Sequence, residues 1–199
     1  MIILTTPRLI VRNWQETDRQ LFREINADPV VMAFFPFRRT DAEADALRTK
    51  VTQAITETGL GFYCLELRET TEPIGFCGLS HPDLPEVFAE DTVEIGWRLA
   101  ARFWGKGYAT EAAVALLDFA FTERQLDEIV SFAVAGNDRS TAVMRRIGMR
   151  ERPELEFDHP RVPDTYPQLR RHVVFTIARD EWHLRRTTAP RSARSARAR

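Results

Sequence analysis

The sequence is poor in cysteine, and its two cysteines, Cys64 and Cys77, lie inside apolar runs that are typical of strands. Buried free thiols in a reducing compartment account for this pattern better than a disulfide, which stays open as the alternative. No zinc-finger spacing and no HExxH motif is formed by the four histidines, which are His81, His159, His172 and His183. We therefore predict that the protein holds no metal.

Long apolar segments are also missing. No run approaches the roughly 20 residues that span a bilayer, so we expect no membrane partner. The first residues, "MIILTTPRLIVR", lack the basic start, apolar centre and cleavage site of a secretory leader, which indicates a mature cytoplasmic chain. The 199 residues are 44% hydrophobic and 29% charged, and this is the composition of a soluble globular domain.

The net charge of −1 is small but unevenly distributed along the chain. The segment from Arg185, "RRTTAPRSARSARAR", has six arginines and no acid, which leaves 22 basic against 29 acidic residues before it. We predict one folded domain over 1–184 and a disordered arginine-rich tail over 185–199. A solvated extension is the more ordinary interpretation of such a tail, and a nucleic-acid contact is the less favoured alternative.

Hydrophobic spacing predicts the element order β-α-α-β-β-β-α-β-α-β-β. Possible capping boxes at Thr17/Gln20 and Thr40/Glu43 open the first two helices, and Gly59 closes the second. A strand, a helix and a strand around residues 92–134 predict a single parallel crossover in an otherwise antiparallel sheet. The fold class is therefore α+β, with a mixed, mostly antiparallel, twisted sheet flanked by helices. The better defined segments are strands 9–14, 62–68, 73–80, 92–100, 128–134 and 172–177 and helices 110–124 and 138–147.

The segment "RFWGKGYA", residues 102–109, joins the predicted central strand to the next helix. Backbone N–H groups at a helix start have no internal partner and carry partial positive charge, so they bind anions. Gly105 and Gly107 allow close approach of a phosphate, while Arg102 and Lys106 add cationic donors. The loop fits neither the nucleotide-binding P-loop pattern GxxxxGK[ST] nor the dinucleotide-binding pattern GxGxxG. A tight turn without a ligand remains an alternative.

Together with its surroundings, this loop resembles the acyl-CoA diphosphate motif of the GNAT superfamily of N-acyltransferases. Arg102, Gly105 and Gly107 match the family pattern Q/R-x-x-G-x-G/A, and "RFWGKGYA" is similar to the branch that acetylates the N-termini of ribosomal proteins. A second landmark stands as "NDRSTAVMRRIGM", which contains Asn137, Ser140 and Gly148. The resemblance covers about residues 5–178.

The resemblance implies that two strands splay apart and admit the pantetheine of acetyl-CoA, the co-substrate. Backbone groups of the first strand would bond its amides, although Trp97 is as readily explained as core. The residues that the resemblance and the loop together assign to cofactor binding are Ile95, Trp97, Leu99, Arg102, Gly105, Lys106, Gly107, Tyr108, Ala109, Asn137 and Ser140.

Direct attack of an amine on a thioester needs a base, and Glu94 is the candidate because it lies on the strand beside the expected thioester. A surface carboxylate is the plainer interpretation of Glu94. The tyrosine that many family members use as proton donor is missing from "RIGMRERPELEF", so the resemblance makes Ser140 the candidate donor. A helix-capping or phosphate contact is the alternative for Ser140, and Asn137 is expected to order the cofactor or the turn.

The segment "FDHPRVPDTYPQLRRHVVF" brings Asp158, His159 and His172 close to one another if its loop folds back on its strand. These three residues are candidates for the acceptor pocket, with either histidine as an alternative base and structural histidines as the plain alternative.

The leading hypothesis from the sequence is an acetyl-CoA-dependent N-acetyltransferase acting on a protein N-terminus or a small amine. A catalytically inactive acyl-CoA sensor is the alternative, because the tyrosine is missing. The amine-bearing acceptor is the expected partner of a monomer or homodimer, and nucleic acid is not expected.

Overall fold

A computed structural model describes residues 1–188 of the chain. Nine strands and five helices of the described residues form one layered unit. The strands are β1 Ile2–Thr5, β2 Leu9–Arg12, β3 Gly61–Leu67, β4 Pro73–Ser80, β5 Glu94–Leu99, β6 Glu128–Val134, β7 Arg150–Glu151, β8 Phe157–Asp158 and β9 Arg171–Ala178. The helices are α1 Arg19–Ala27, α2 Asp41–Thr58, α3 Tyr108–Thr122, α4 Asp138–Ile147 and α5 Arg179–Thr188.

The strands join in the order β1-β2-β3-β4-β5-β6-β9-β7, and β8 adds to β9. Strands β5 and β6 are parallel, whereas the other strand pairs of the described chain are antiparallel. Helix α3 is the crossover between them, because parallel neighbours need a long connection. The α+β prediction and its single parallel crossover are therefore confirmed. In the described part of the chain, none of the helices combines the length and the apolar character needed to cross a bilayer.

The second helix begins and ends as its sequence predicts. The Thr40 hydroxyl accepts from the Glu43 N–H, and the Glu43 side chain accepts in return from the Thr40 N–H at 2.8 Å. Gly59 ends α2 in the left-handed conformation, with φ 75°, where a Cβ would be strained. Both signals are local, which is why the sequence alone predicts them.

The Thr17/Gln20 box predicted for the first helix is wrong. A short 3₁₀ turn precedes α1, and its capping box joins Gln15 to Asp18. Asp18 is preferred because it also binds the guanidinium of Arg12 at 2.6 Å, deep in the protein. A charge-assisted bond to a buried arginine outweighs the weaker pull of a local threonine cap.

The two cysteines are buried and free, as predicted. Tyr63 pairs with Cys77 across β3 and β4, so Cys64, the next residue on β3, points to the opposite face of the sheet. A disulfide between them is excluded by that alternation. Burial raises the pKa of both thiols well above their usual range, which keeps them protonated and unreactive at neutral pH.

The predicted disordered tail begins too early, because helix α5 runs through residues 185–188. Trp182 donates to Asp118 of α3 at 2.7 Å, and Arg186 forms an ion pair with the same carboxylate. The Arg185 guanidinium lies over Gly148. These long-range contacts stabilise a helix whose own sequence has few apolar residues. Residues 189–199, the rest of the tail, lie outside the described residues.

Candidate active site

A cleft opens between the parallel strands β5 and β6. Their register contains one pair, Glu94 with Val130, and past this pair the strands diverge towards their carboxyl ends. The Ser131 hydroxyl donates to the Ile95 carbonyl at 2.8 Å, and this bond holds the vertex of the cleft. The splay expected from the family resemblance is therefore present in the structure.

The edge of β5 that faces the cleft is the one carrying the backbone groups of Ile95, Trp97 and Leu99. The Ile95 carbonyl accepts from β6, and alternation along a strand turns the backbone groups of Trp97 and Leu99 the same way. The Leu99 carbonyl is already engaged, because the Trp104 indole N–H donates to it at 2.8 Å. This leaves Trp97 as the residue of the three whose backbone is best placed for a ligand amide. Its side chain is only partly buried and packs at the margin of the core.

The glycine loop ends in an exposed helix N-terminus. Gly105 and Gly107 both adopt left-handed conformations, with φ 74° and 81°, and α3 begins directly afterwards at Tyr108. A Cβ on Gly105 would meet no atom within 4 Å, and one on Gly107 would meet only Arg8 at 3.5 Å. The backbone here is therefore bare on its outer side, which is the geometry that a diphosphate needs.

Arg102 does not point at this loop. Its guanidinium forms an ion pair with Glu24 of α1 and lies over the ring of Phe103. Arg8, which the sequence argument did not single out, replaces it as the cation beside the loop. Arg8 donates to the Lys106 carbonyl at 3.0 Å, and Glu111 of α3 holds it by an ion pair. No local motif reveals Arg8, since nearly a hundred residues separate it from the loop.

Two arginines of α4 complete the basic rim of the cleft. The Arg139 guanidinium lies 4.4 Å from the centre of the Trp104 ring, and Arg146 donates to the Thr110 hydroxyl at 3.3 Å. Both residues line the same cavity as Lys106 and Arg8. The end of the cleft at the start of α3 is consequently cationic, as a phosphorylated ligand requires.

Glu94 lies at the vertex of the cleft and is partly buried. Within residues 1–188, its carboxylate has neither a hydrogen-bond donor nor a cationic partner. Burial raises the pKa of Glu94 to about 7, because desolvation disfavours the charged form. A carboxyl group that titrates near neutrality is suited to accept a proton from an amine.

Asn137 and Ser140 stand at the start of α4 and both line the cleft. The Asn137 side chain accepts from the Ser140 N–H at 3.2 Å, so Asn137 is the N-cap and Ser140 lies one turn into the helix. The N-cap alternative for Ser140 is therefore wrong. Its hydroxyl is partly buried and bonds to no other group of the described chain, which leaves it available to a ligand.

His159 and His172 come together as predicted, with ring centres 5.0 Å apart, and both line the cleft. Burial lowers the pKa of both rings, so both are neutral at pH 7. Asp158 does not join them in the cleft, because its side chain points to Arg171 at 3.6 Å, on the outer side of the β8–β9 pair. Its placement in the acceptor pocket is therefore wrong. His172 pairs with Val134, four residues beyond Val130, and is thus about 13 Å along the sheet from Glu94.

These features line one continuous open cavity of about 2180 Å³. The glycine loop, Glu94 and the histidine pair are all part of its lining. In the described part of the chain, no three His, Cys, Asp or Glu side chains group as a metal site would need. The cavity thus offers a cationic end, a cleft between strands and a carboxyl group of raised pKa.

Comparisons with known proteins agree with this geometry. A family model described as an acetyltransferase (GNAT) domain matches residues 8–150. The chain is 30% identical to the uncharacterised N-acetyltransferase YnaD of Bacillus subtilis over 183 residues, which are 90% of this chain and 99% of the relative. It is 29% identical to the FsC-acetyl coenzyme A-N(2)-transacetylase of Aspergillus fumigatus over 184 residues, 90% of this chain and 77% of the relative. A GNAT-family acetyltransferase structure from Bacillus anthracis has a TM-score of 0.74 and 26% identity, covering 91% of this chain and 100% of that one.

Proposed function

This chain belongs to the GNAT acetyltransferase family and is an acyltransferase, and from this premise we propose that it transfers the acetyl group of acetyl-CoA directly to a primary amine. The observation that carries the proposal is the carboxyl group of Glu94 at the point where β5 and β6 separate. This position places a base of suitable pKa in a cleft that ends at an anion-binding loop.

The loop residues fit the diphosphate of coenzyme A. Bare backbone at Gly105 and Gly107 lies next to Lys106 and Arg8, so two N–H-rich turns and two cations surround one place. A Cβ at either glycine would intrude on that place and strain the backbone. Ser140 and Asn137 then face the same ligand from α4, and Trp97 faces it from β5.

The chemistry requires that the acceptor amine lose its proton before or during attack. A lysine amine titrates near 10.4 and an α-amine near 8, so most molecules are protonated at pH 7. Glu94, with a pKa of about 7, removes that proton directly or through one water. The neutral histidines are the second candidates, but their distance of about 13 Å along the sheet from the vertex favours Glu94.

The departing thiolate benefits from a proton donor, and Ser140 supplies the hydroxyl. Its N–H is used in the helix cap, while its Oγ bonds to nothing else in the described chain. Backbone N–H groups near Ile95 or Trp97 stabilise the negative charge that develops on the carbonyl oxygen. Each of these roles belongs to a residue that already lines the cavity.

The acceptor is a protein N-terminus or a small amine. The similarity of "RFWGKGYA" to the ribosomal-protein branch supports the first, and the A. fumigatus relative, whose name states N(2)-transacetylation from acetyl coenzyme A, is consistent with the second. The open cavity is wide enough for either class.

The test is turnover of acetyl-CoA with a panel of peptides, polyamines and amino acids, followed by free thiol release and by the mass gain of the acceptor. We expect acetylated product from at least one acceptor class, with thiol and product in equal amounts. Tight acetyl-CoA binding with no thiol release across the panel would instead support a sensor without catalysis.

A further inference from the structure

Arg98 lies on β5 and lines the same cavity as Glu94. It alternates with Glu94 and Gly96, so all three side-chain positions lie on one face of the sheet. The ring of Phe62 covers the backbone of Gly96, where a Cβ would meet it at 3.0 Å. The Phe62 ring therefore covers the strand position between Glu94 and Arg98.

The Arg98 guanidinium is held in one orientation. Its Nη1 donates to Oδ1 of Asn26 at 2.8 Å, and Asn26 is itself fully buried and bonded to the Phe22 carbonyl. The guanidinium carbon lies 4.4 Å from the centre of the Phe35 ring and 5.4 Å from that of Phe76. An oriented, stacked guanidinium presents its remaining donors as a preformed fork.

Arg98 has no carboxylate partner within residues 1–188, although its side chain is partly buried. Burial lowers the pKa of Arg98 to about 10, which leaves it fully charged at neutral pH. Arg12, the buried arginine of β2, pairs with both Asp18 and Glu66. Burying a cation without a counter-ion is costly, so natural folds normally pair it.

We propose that Arg98 binds a carboxylate of the acceptor, so that the acceptor is an amine that also carries a carboxylate group. The inference rests on the proposed acetylation and names the substrate class of that same site. A single guanidinium between two aromatic rings suits a monoanion; a phosphate dianion calls for further donors.

The spacing of the two groups restricts the acceptor further. Glu94 and Arg98 are four residues apart on one strand, about 13 Å between Cα atoms, and both lie on the face of β5 where the Phe62 ring covers Gly96. The amine and the carboxylate of the acceptor are therefore separated by several bonds. An ω-amino acid or a short peptide fits this distance better than the amine and carboxylate of one α-amino acid.

The experiment measures kcat/KM for glycine, 4-aminobutyrate, 6-aminohexanoate and diglycine, each beside its carboxamide. Wild type is compared with Arg98→Gln and Arg98→Lys, and with Arg161→Gln as a control arginine that lines the cavity but pairs with Asp83. Circular dichroism and thermal unfolding establish that each variant is folded.

We expect wild type to prefer the longer acids over their amides by about tenfold or more, as a charge-assisted bond supplies. Arg98→Gln should lose this preference while keeping its rate on the amides, Arg98→Lys should keep part of it, and Arg161→Gln should keep all of it. Equal rates on acids and amides in wild type, or an equal loss on both in Arg98→Gln, would overturn the inference but leave the acetyltransferase proposal intact.

If no amine is acetylated, the proposed function is wrong, and this result does not test the carboxylate subsite. The subsite is then tested by a binding measurement. Calorimetric titration with 4-acetamidobutyrate and 4-acetamidobutyramide measures the two affinities. Tighter binding of the acid by wild type but not by Arg98→Gln supports the subsite, and no difference overturns it.

Discussion

Glu94 on β5 and Val130 on β6 form the one residue pair in the register that joins these strands within residues 1–188. The candidate base is therefore also the last paired residue before the cleft opens. Its carboxyl group is desolvated by burial and still lines the open cavity. This single placement accounts for both the raised pKa of Glu94 and its access to an acceptor.

Replacing Gly107 by Glu should abolish acetyl-CoA binding. The added carboxylate enters the bare space beside the loop, where two like charges at about 4 Å repel by on the order of 4 kcal/mol near a protein surface. Gly107→Gln is the matched control, since it has the same size and the same left-handed strain at φ 81°. Calorimetric titration should show on the order of a thousandfold weaker affinity for the Glu variant than for the Gln variant. Equal affinities would show that the diphosphate lies elsewhere.

Replacing Glu94 by Gln should remove the pH dependence that the base imposes on catalysis. The base works only when unprotonated, so kcat/KM of wild type should rise with pH through a midpoint near 7, the pKa of Glu94. At pH 8 the variant should be slower than wild type by on the order of a hundredfold. Its pH profile should lack the rise near 7, while the rise caused by deprotonation of the acceptor amine persists. If the pH profile of Glu94→Gln keeps the wild-type midpoint near 7, another group is the base, and His172 is the next candidate.

The same carboxyl group should make stability depend on pH. Its pKa is raised in the folded state, so the folded protein binds the proton more tightly, and stability is highest below the unfolded pKa near 4.5 and falls as pH rises through about 7. Glu94→Gln removes this loss, and its stability relative to wild type should increase between pH 5 and pH 8 by on the order of 2 kcal/mol. Urea unfolding of both proteins at several pH values measures the difference. A constant difference across that range would mean that Glu94 is not desolvated.

Replacing Ser140 by Ala should lower kcat with little change in KM or stability. The helix cap is made by the Asn137 side chain and the Ser140 N–H, and the substitution keeps both. Loss of a proton donor costs about a hundredfold to ten-thousandfold in general acid catalysis. Asn137→Ala is the comparison, because it should cost about 1 kcal/mol of stability through the lost cap. A Ser140→Ala kcat within twofold of wild type would rule out the donor role.

Replacing Asp18 by Ala should destabilise the fold by about 3 kcal/mol, because it removes the main partner of the deeply buried Arg12. The same change also removes the acceptor of the Gln15 N–H. Asp164→Ala breaks an ion pair with Arg170 at the surface and should cost less than about 0.5 kcal/mol. Denaturant unfolding of the two variants gives both values. Equal effects would mean that Glu66, the other partner of Arg12, compensates for the lost carboxylate.

The predictions that were confirmed rest on local signals. The Thr40/Glu43 box, the left-handed Gly59 and the alternation of β5 depend on residues a few positions apart. The errors arise where distant residues compete. The Gln15/Asp18 box formed in place of the Thr17/Gln20 box, because Asp18 also binds Arg12. Glu24 drew Arg102 away from the loop, and α3 stabilised a helix in what was predicted to be a disordered tail.

The sequence by itself determined the secondary-structure elements, the single parallel crossover and the glycine loop. Hydrophobic periodicity, helix capping and left-handed turns depend on residues that are close in sequence. Tertiary structure alone decided that Arg8 and not Arg102 accompanies the loop, that Asp158 points away from the histidine pair, and that Arg98 has no carboxylate partner within residues 1–188. Those outcomes depend on which charges meet across the sheet, and charges distant in sequence meet only after the core has packed.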